Sequence, residues 1–526
     1  MKHKTLSIWS LTAVLLLAAC GRISANLSVD NTKPVSDGNR IIYQMNVGAF
    51  TPEGTFQAAT RQLDRLDTLG VDIIWLMPIY PRGATMNSPY AAMDYKAVNP
   101  RYGAISDVKA FVARAHQLGI KVWLDWVPNH VAQENPWVQT HPDYFTRDDK
   151  GNMIHPHGWG DVLELNYQNP ELVKEVNSAL KFWIETCDID GYRCDYVSSP
   201  TIPVAYWQDI IAQLKTLPGK KIEMMSETDI TDRHNQRIDS CGFDYDYAWS
   251  FQGSMARLCR RGFNADTLKN ICQRFLDKSS KVKNRRMVYL TNHDQNYNES
   301  KKTLTQKYGD NRYPLTVLAY TVYGMPLIYN GQETGGNQAL DYFNDTKINW
   351  NTNDPKMLNT LRTLFALKHA VPAISDARQW ADNPSTTLLN VSGSTGVLAY
   401  TRTLGDSQVL VVLNMGTSAA TATIEGITAG DWSLWLDSET IAQGTSRKQA
   451  SLNATHTFTL EAKGYRVYVS GTYPEQDVAQ HTAIRSIQSS SHSDNRWYTL
   501  TGQPIPRPTK RGLYIHNGKK VAIDNQ

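Results

Sequence analysis

Eight short apolar runs, rich in β-branched and aromatic residues, alternate with helix-like stretches between residues 41 and 329. The runs are Ile41 to Asn46, Val71 to Pro78, Lys121 to Val127, Gly191 to Asp195, Ile222 to Ser226, Phe243 to Tyr247, Met287 to Asn292 and Met325 to Tyr329. Between them lie helical patterns such as Ala58 to Leu69, Ile105 to Leu118, Pro170 to Thr186 and Val204 to Leu214, with Gly70 and Gly119 placed to end two of them. Strand and helix in alternation are the pattern of βα units around a parallel sheet, and eight such units predict a (β/α)8 barrel within residues 40–370. This constraint is stronger than composition, which at 41% hydrophobic and 20% charged residues over 526 positions says only that the chain is globular.

The rest of the chain has a different texture. After the third strand run, residues 131–161 are rich in His, Pro, Gly and Trp without helical periodicity, which reads as an insertion over the barrel mouth. Beyond a helix near Lys356 to His369, alternating strands such as Val397 to Arg402, Gln408 to Asn414 and Tyr465 to Val469 predict an antiparallel β-sandwich over 371–470. A polar linker follows over 471–495, then a small β-rich tail over 496–526 in which Arg511 to Val521 reads as a hairpin.

At the N-terminus Lys2, His3 and Lys4 precede an apolar run from Leu11 to Ala19 that is too short to span a bilayer and matches a signal-peptide core. The run closes in Leu17-Ala18-Ala19-Cys20, similar to a lipoprotein cleavage site. The expectation is a signal peptide over 1–20, lipidation at Cys20 and a tether over 21–39, placing an exported protein on a Gram-negative membrane, periplasmic face or cell surface left open. Five further cysteines, Cys187, Cys194, Cys241, Cys259 and Cys272, are an odd number and match no zinc spacing, so at most two disulfides are possible. A net charge of +4 over the chain supplies no field suited to nucleic acid.

In a barrel of this kind chemistry sits at the C-terminal ends of the strands. Those ends read Asp125-Trp-Val-Pro-Asn129-His130, Gly191-Tyr-Arg193-Cys-Asp195, Ser226-Glu227 and Asn292-His293-Asp294. Each alone is equally well a structural ion pair; together they bring acids, an Arg and two His to one mouth. Such a set suits glycoside hydrolysis with retention, which needs a carboxylate nucleophile and a carboxylic acid about 5–5.5 Å apart. Arg193 stands two residues before Asp195, so both side chains leave the strand on the same side and the guanidinium supports Asp195 as nucleophile. Glu227, beside Met224 and Met225 and among other acids, is the expected acid and base, because desolvation and like charge both favour its protonated form. His130, His293 and Asp294 then face sugar hydroxyls, with Asp294 stabilising the transition state.

The order and wording of these segments resemble the four signature regions of the α-amylase superfamily, glycoside hydrolase family 13. Tyr90 in Ser88-Pro89-Tyr90 resembles the family aromatic that stacks on the sugar at the cleavage point, and Gly324 to Glu333 the eighth-strand signature. The resemblance implies retaining cleavage of α-glucosidic bonds through a glucosyl enzyme on Asp195, with Tyr90, Asp125, His130, Arg193 and His293 on the substrate. Where many members continue the second signature with Lys-His, this chain has Ser198 and Ser199. That departure leaves open a calcium ion at Asn129, to which Asp161 or Glu164 could add oxygens. Trp159, between Gly158 and Gly160, is either a sugar platform or insertion core, Glu164 a loop stabiliser, and His155 and His157 loop residues.

The resulting expectation is a retaining α-glucan hydrolase of α-amylase type acting on α-1,4 bonds of starch or maltooligosaccharides, without organic cofactor. Alternatives are an α-glucosidase, a cyclomaltodextrinase or neopullulanase-like hydrolase, a transglycosylase, or a non-catalytic starch-binding lipoprotein. Ser198 and Ser199 keep the first group alive; the intact Asp195, Glu227 and Asp294 argue against the last.

Overall fold

The computed structural model describes residues 37–298, 301–377, 380–444 and 448–471, and the backbone of four short strands between 497 and 523. The expected signal segment with Cys20, most of the tether and nearly all of the linker lie outside these residues.

Strands β1 (Ile42–Met45), β2 (Ile73–Leu76) and β3 (Lys121–Trp126) are followed by a short pair, β4 (His130–Ala132) and β5 (Val162–Glu164). Then come β6 (Gly191–Cys194), β7 (Glu223–Ser226), β8 (Tyr245–Tyr247), β9 (Arg285–Val288) and β10 (Met325–Tyr329). All except β4 and β5 close into a barrel in the order β1-β10-β9-β8-β7-β6-β3-β2, every neighbour parallel. The expected (β/α)8 architecture is therefore present, each strand within or beside its sequence run. Parallel strands covered on both faces are apolar on both faces, which is why they stood out as runs. Inside the barrel Ile73, Trp75, Trp123, Met225, Tyr245, Met287 and Leu327 pack together, while the outward residues join the helices in a second core.

Two local departures have physical causes or limits. Strand β9 begins at Arg285, ahead of the expected Met287, because Arg286 is a buried strand residue whose charge is met by Asp229 at 2.7 Å and Asp246 at 3.0 Å. The expected helix from Ala58 to Leu69 is two pieces, Phe56–Thr60 and Leu63–Leu69, the second closed by Gly70 at φ 94°. At Gly191 a side chain is excluded for a different reason: a Cβ would lie 2.2 Å from the Glu223 carbonyl and 2.7 Å from the Trp123 ring.

The insertion carries the antiparallel β4–β5 pair, with His130 opposite Glu164, and one short helix, Trp137–Thr140. It closes three residues later than the sequence texture indicated, at Glu164.

The sandwich comprises β11 (Ser385–Leu388), β12 (Asn390–Ser392), β13 (Val397–Leu404), β14 (Ser407–Asn414), β15 (Ala420–Glu425), β16 (Gly430–Asp437), β17 (Lys448–Leu452), β18 (Thr455–Leu460) and β19 (Tyr465–Ser470). A six-stranded sheet, β11-β13-β14-β19-β16-β17, faces a three-stranded one, β12-β15-β18. Alternation along β14 divides the labour: Leu410 and Val412 fill the sandwich core, whereas Val409, Val411 and Leu413 join the core that holds the barrel helices. Tyr465 Oη also lies 2.8 Å from the Thr360 hydroxyl on helix Pro355–Ala370. Sequence texture sets the sandwich apart, but the described residues of barrel and sandwich form one compact unit.

The second unit contains β20 (Trp497–Tyr498), β21 (Pro504–Ile505), β22 (Gly512–His516) and β23 (Lys519–Ile523) as an antiparallel sheet in the order β21-β20-β22-β23. The β22–β23 pair is the expected hairpin. Cys187, Cys194, Cys241, Cys259 and Cys272 are all free thiols.

Candidate active site

The register of three strands builds the centre. Asp125 on β3 pairs across to Arg193 on β6, which pairs to Met225 on β7, and the next step sets Trp126, Cys194 and Ser226 side by side. One residue further, the Asp195 N–H donates to the Trp126 carbonyl at 2.8 Å and the Glu227 N–H to the Cys194 carbonyl at 2.9 Å. The two expected catalytic carboxylates therefore leave adjacent strand ends at the same height.

One guanidinium joins them. Arg193 Nη1 lies 2.9 Å from Asp125 Oδ1 and 2.8 Å from Asp195 Oδ1, and Nη2 pairs with Glu227. Its Nε donates to Tyr247 Oη at 3.1 Å, and Trp75 lies under it with the ring centroid 5.0 Å away. Glu227 Oε2 accepts the Tyr196 backbone N–H at 2.8 Å. Burial pushes the Glu227 carboxyl well above the usual carboxylate range; Arg193 opposes this, and the Asp195 and Asp294 charges add to it.

A cleft of about 1030 Å³ opens over this pair, lined by Tyr90, His130, Asp195, Glu227, His293 and Asp294 among others. All three expected catalytic residues and three of the five expected substrate residues thus face one space. Asp125 and Arg193 do not line it. Both side chains are fully buried beneath the floor, where Asp125 accepts from Trp75 Nε1 at 3.1 Å and Tyr90 Oη at 3.2 Å as well as from Arg193. They position the groups that face the cleft and make no surface for a sugar, a correction to their expected place on the substrate. Burial lifts Asp125 to about 7 against the pull of Arg193.

One wall is aromatic. Tyr90 stacks on His293 with ring centroids 5.2 Å apart and planes 17° apart, and Tyr342 meets both edge-on. With the Gln44 amide donating to His293 Nδ1 at 2.7 Å, the proton sits on Nε2, 2.7 Å from Tyr90 Oη. Burial and then Arg193 hold His293 well below the ordinary histidine range, so it is a neutral donor. Asp294 begins a single π-helical turn, Asp294–Asn298.

On the other side His130 lies edge-on to Trp159 at 5.6 Å, and burial lowers its pKa. Trp159 lines the cleft and is 44% exposed, so it is not insertion core. Glu164 accepts from the Thr146 hydroxyl at 2.8 Å and stabilises its loop, as expected.

The residues around Asn129 do not fit a calcium ion. Thr201 donates its hydroxyl to Asn129 Oδ1 at 3.4 Å, and the Asn129 amide nitrogen faces His130 Nδ1 at 3.2 Å. The Ser198 and Ser199 carbonyls accept from the Arg237 guanidinium at 2.7 and 2.8 Å, which puts a fixed positive charge on this loop. Among the described residues no group of three or more His, Cys, Asp or Glu could hold a metal. A hard cation wants several free oxygens, and here the Asn129 amide oxygen and the Ser198 and Ser199 carbonyls are already engaged by Thr201 and Arg237.

Several site residues escaped the sequence reading. Tyr342 and Phe343 line the cleft, stacked 4.7 Å apart, on a loop that Arg82 pins through both carbonyls at 3.2 Å and through Asp345 at 2.8 Å. Trp249, next to Tyr247, lines the cleft too, as does Asp229. The Tyr-Phe-Asn-Asp run at 342–345 was the available signal, an aromatic pair in a polar loop just after the last barrel strand.

The family description "Alpha amylase, catalytic domain" matches residues 30–164. Alpha-amylase 2 of Dictyoglomus thermophilum is 24% identical over 400 residues, 66% of each chain. Malto-oligosyltrehalose trehalohydrolase of Saccharolobus solfataricus is 26% identical over 370 residues, 63% of this chain and 62% of the relative. The matched segments thus cover just under two thirds of those curated relatives. The crystal structure of the maltogenic α-amylase AmyB of Thermotoga neapolitana shares the fold, with TM-score 0.70 at 24% identity over 83% of this chain and 99% of that one. With its four signature segments meeting at one barrel mouth, the chain is similar to the α-amylase catalytic domain in sequence and shares the fold of an α-amylase.

Proposed function

We propose that this protein is a retaining α-glucan hydrolase that cleaves α-1,4 bonds of starch or maltooligosaccharides through a covalent glucosyl-Asp195 intermediate. The observation that carries the reading is the Arg193 guanidinium paired at once with Asp195 and Glu227. Two carboxylates held by one guanidinium are close enough for the separation of about 5–5.5 Å that retention requires.

In the first step Glu227, kept protonated by burial, gives its proton to the glycosidic oxygen while Asp195 attacks the anomeric carbon. Charge that develops on the ring is met by Asp294. In the second step Glu227 takes a proton from water, which attacks the anomeric carbon and releases Asp195. No step passes through a metal ion or an organic cofactor.

A glucosidase or transfer outcome differs only in what the cleft admits beyond Glu227, and the relatives' names span hydrolases of more than one substrate. The proposal includes export and lipid anchoring at Cys20, supported by the apolar run that Cys20 closes. Cys20→Ala should release the protein from membranes; continued membrane association would remove the anchor.

The activity is tested by incubating protein lacking residues 1–20 with maltoheptaose, soluble starch and pullulan and resolving products over time. Short maltooligosaccharides from internal cuts support an amylase. Glucose alone, or products longer than the substrate, moves the assignment to a glucosidase or transferase, and no product from any of the three overturns it.

A further inference from the structure

One wall of the cleft is a helix. Along Trp249–Arg261 the residues Trp249, Gly253, Ala256, Arg257 and Arg260 all line it, the spacing of a single helical face. At 1.5 Å per residue the stripe from Trp249 to Arg260 is about 16 Å long. Gly253 keeps its middle open. A Cβ there would meet nothing closer than Arg257 Nη1 at 3.8 Å, so packing does not call for glycine, although glycine weakens a helix interior.

The last turns of the stripe are positive. Arg257 and Arg260 are exposed, and among the described residues neither forms an ion pair; Arg257 Nη2 donates to Ser254 Oγ at 3.1 Å. Lys307 lines the same space, its Nζ donating to Gln295 Oε1 at 3.1 Å, and Gln295 Nε2 donates in turn to Gln252 Oε1 on the helix at 2.6 Å. These amides tie the ammonium to the arginine-bearing helix and carry no charge to offset it. Gln295 directly follows Asp294, so the positive wall adjoins the catalytic acids. Acids elsewhere in the cleft are engaged by other groups: Asp195 and Glu227 by Arg193, Asp229 by Arg286, and Asp232 by the His234 N–H at 3.0 Å.

Scattered surface arginines serve solubility alone, but these stand on one helix face inside the cleft, beside a floor that glycine leaves open. A neutral glucan offers such a wall no charge to pair with. A phosphate ester does: it is an anion whose oxygens accept the forked hydrogen bonds of a guanidinium. Resting on the α-glucan hydrolase reading above, we propose that Arg257, Arg260 and Lys307 form an anion site for a phosphate ester carried by a glucosyl unit of the substrate. Phosphorylated α-glucan is then the substrate class this cleft favours, the ester being held while a neighbouring glucosidic bond lies at Asp195 and Glu227.

The test compares maltoheptaose with maltoheptaose bearing one phosphate ester at O6, as a mixture of positional isomers. In the double variant Arg257→Gln, Arg260→Gln the ratio of kcat/KM for the phosphorylated substrate to that for the unmodified one is expected to fall at least about tenfold, or about 1.4 kcal/mol. Both side chains are exposed, so the glutamines remove charge and leave the core packing in place. Added salt should lower the wild-type ratio as well, because it screens exposed charge. A ratio equal in variant and wild type overturns the site and leaves the hydrolase reading standing. Inorganic phosphate separates the two sources of the anion: if it alters wild-type turnover of unmodified maltoheptaose while the ratio is the same in both proteins, the wall binds free anion and the sugar-ester assignment is overturned. If the wild type cuts neither substrate, the hydrolase reading fails and calorimetry decides the site. Weaker binding of the phosphorylated sugar by the double variant then upholds it, and equal binding overturns it.

Discussion

Arg193 lies 2.8 Å from Asp195 with no exposed surface, so the Asp195 carboxylate is held by a charge that water cannot reach. The same guanidinium meets Asp125 and Glu227, and removing it leaves three acids facing one another in a desolvated floor. Breaking a buried ion pair by deleting one partner costs about 3–5 kcal/mol. Arg193→Ala is therefore expected to lower unfolding free energy by about that amount at pH 7 and to abolish turnover, as read by denaturant melts and hydrolysis assays. A variant of unchanged stability would mean the three acids find other partners.

The pH dependence follows from Glu227. Its protonated form is the acid, so kcat/KM should fall as pH rises through its raised pKa in the free enzyme. The Asp294 charge is one of the causes that raise it. Asp294→Asn removes that charge, lowers the pKa of Glu227 and should move the basic limb of the residual activity toward lower pH. A limb that stays in place or moves upward would detach it from Glu227.

Asp229 illustrates the opposite case. Burial pushes its pKa up, but Arg286 and hydrogen bonds from Ser250 and Thr231 outweigh it and leave about 2, below the ordinary 3.8. A depressed carboxylate pKa stabilises the fold above its unfolded value, and that contribution is lost as pH falls from about 4 to about 2. Asp229→Asn should cost about 2 kcal/mol at pH 7, and the gap between variant and wild type should shrink through that window. A gap that is constant with pH would assign the loss to packing.

The loop after Asp195 is held by Arg237 through the Ser198 and Ser199 carbonyls. Prolonged EDTA treatment is expected to leave melting temperature and activity unchanged. Arg237→Ala should instead destabilise by about 1–3 kcal/mol, the cost of leaving such carbonyls without their donor. A large loss of melting temperature on chelation, restored by calcium, would contradict this.

What the sequence disclosed and what it hid divide along physical lines. The barrel was legible because strands covered on both faces must be apolar on both faces, and Asp125, Asp195, Glu227 and Asp294 were legible as acids ending such runs. Depth was not legible: side-chain alternation points Asp125 inward, yet only closure of the barrel shows that it lies under the cleft and not on it. Arg286 hid the start of β9 because polarity masks a buried strand residue whose partners, Asp229 and Asp246, come from other loops and strands. Tyr342, Phe343 and Arg237 act from loops, where no period marks them. Trp159 was legible as a choice between platform and core, and its exposure removes the core reading.

The central claim is retention through Asp195, and the anomeric form of the first product tests it most directly. Wild-type enzyme acting on maltoheptaose, followed by NMR before mutarotation, should release the new reducing end in the α configuration. Release in the β configuration would mean single displacement by water, and would contradict a glucosyl-Asp195 intermediate.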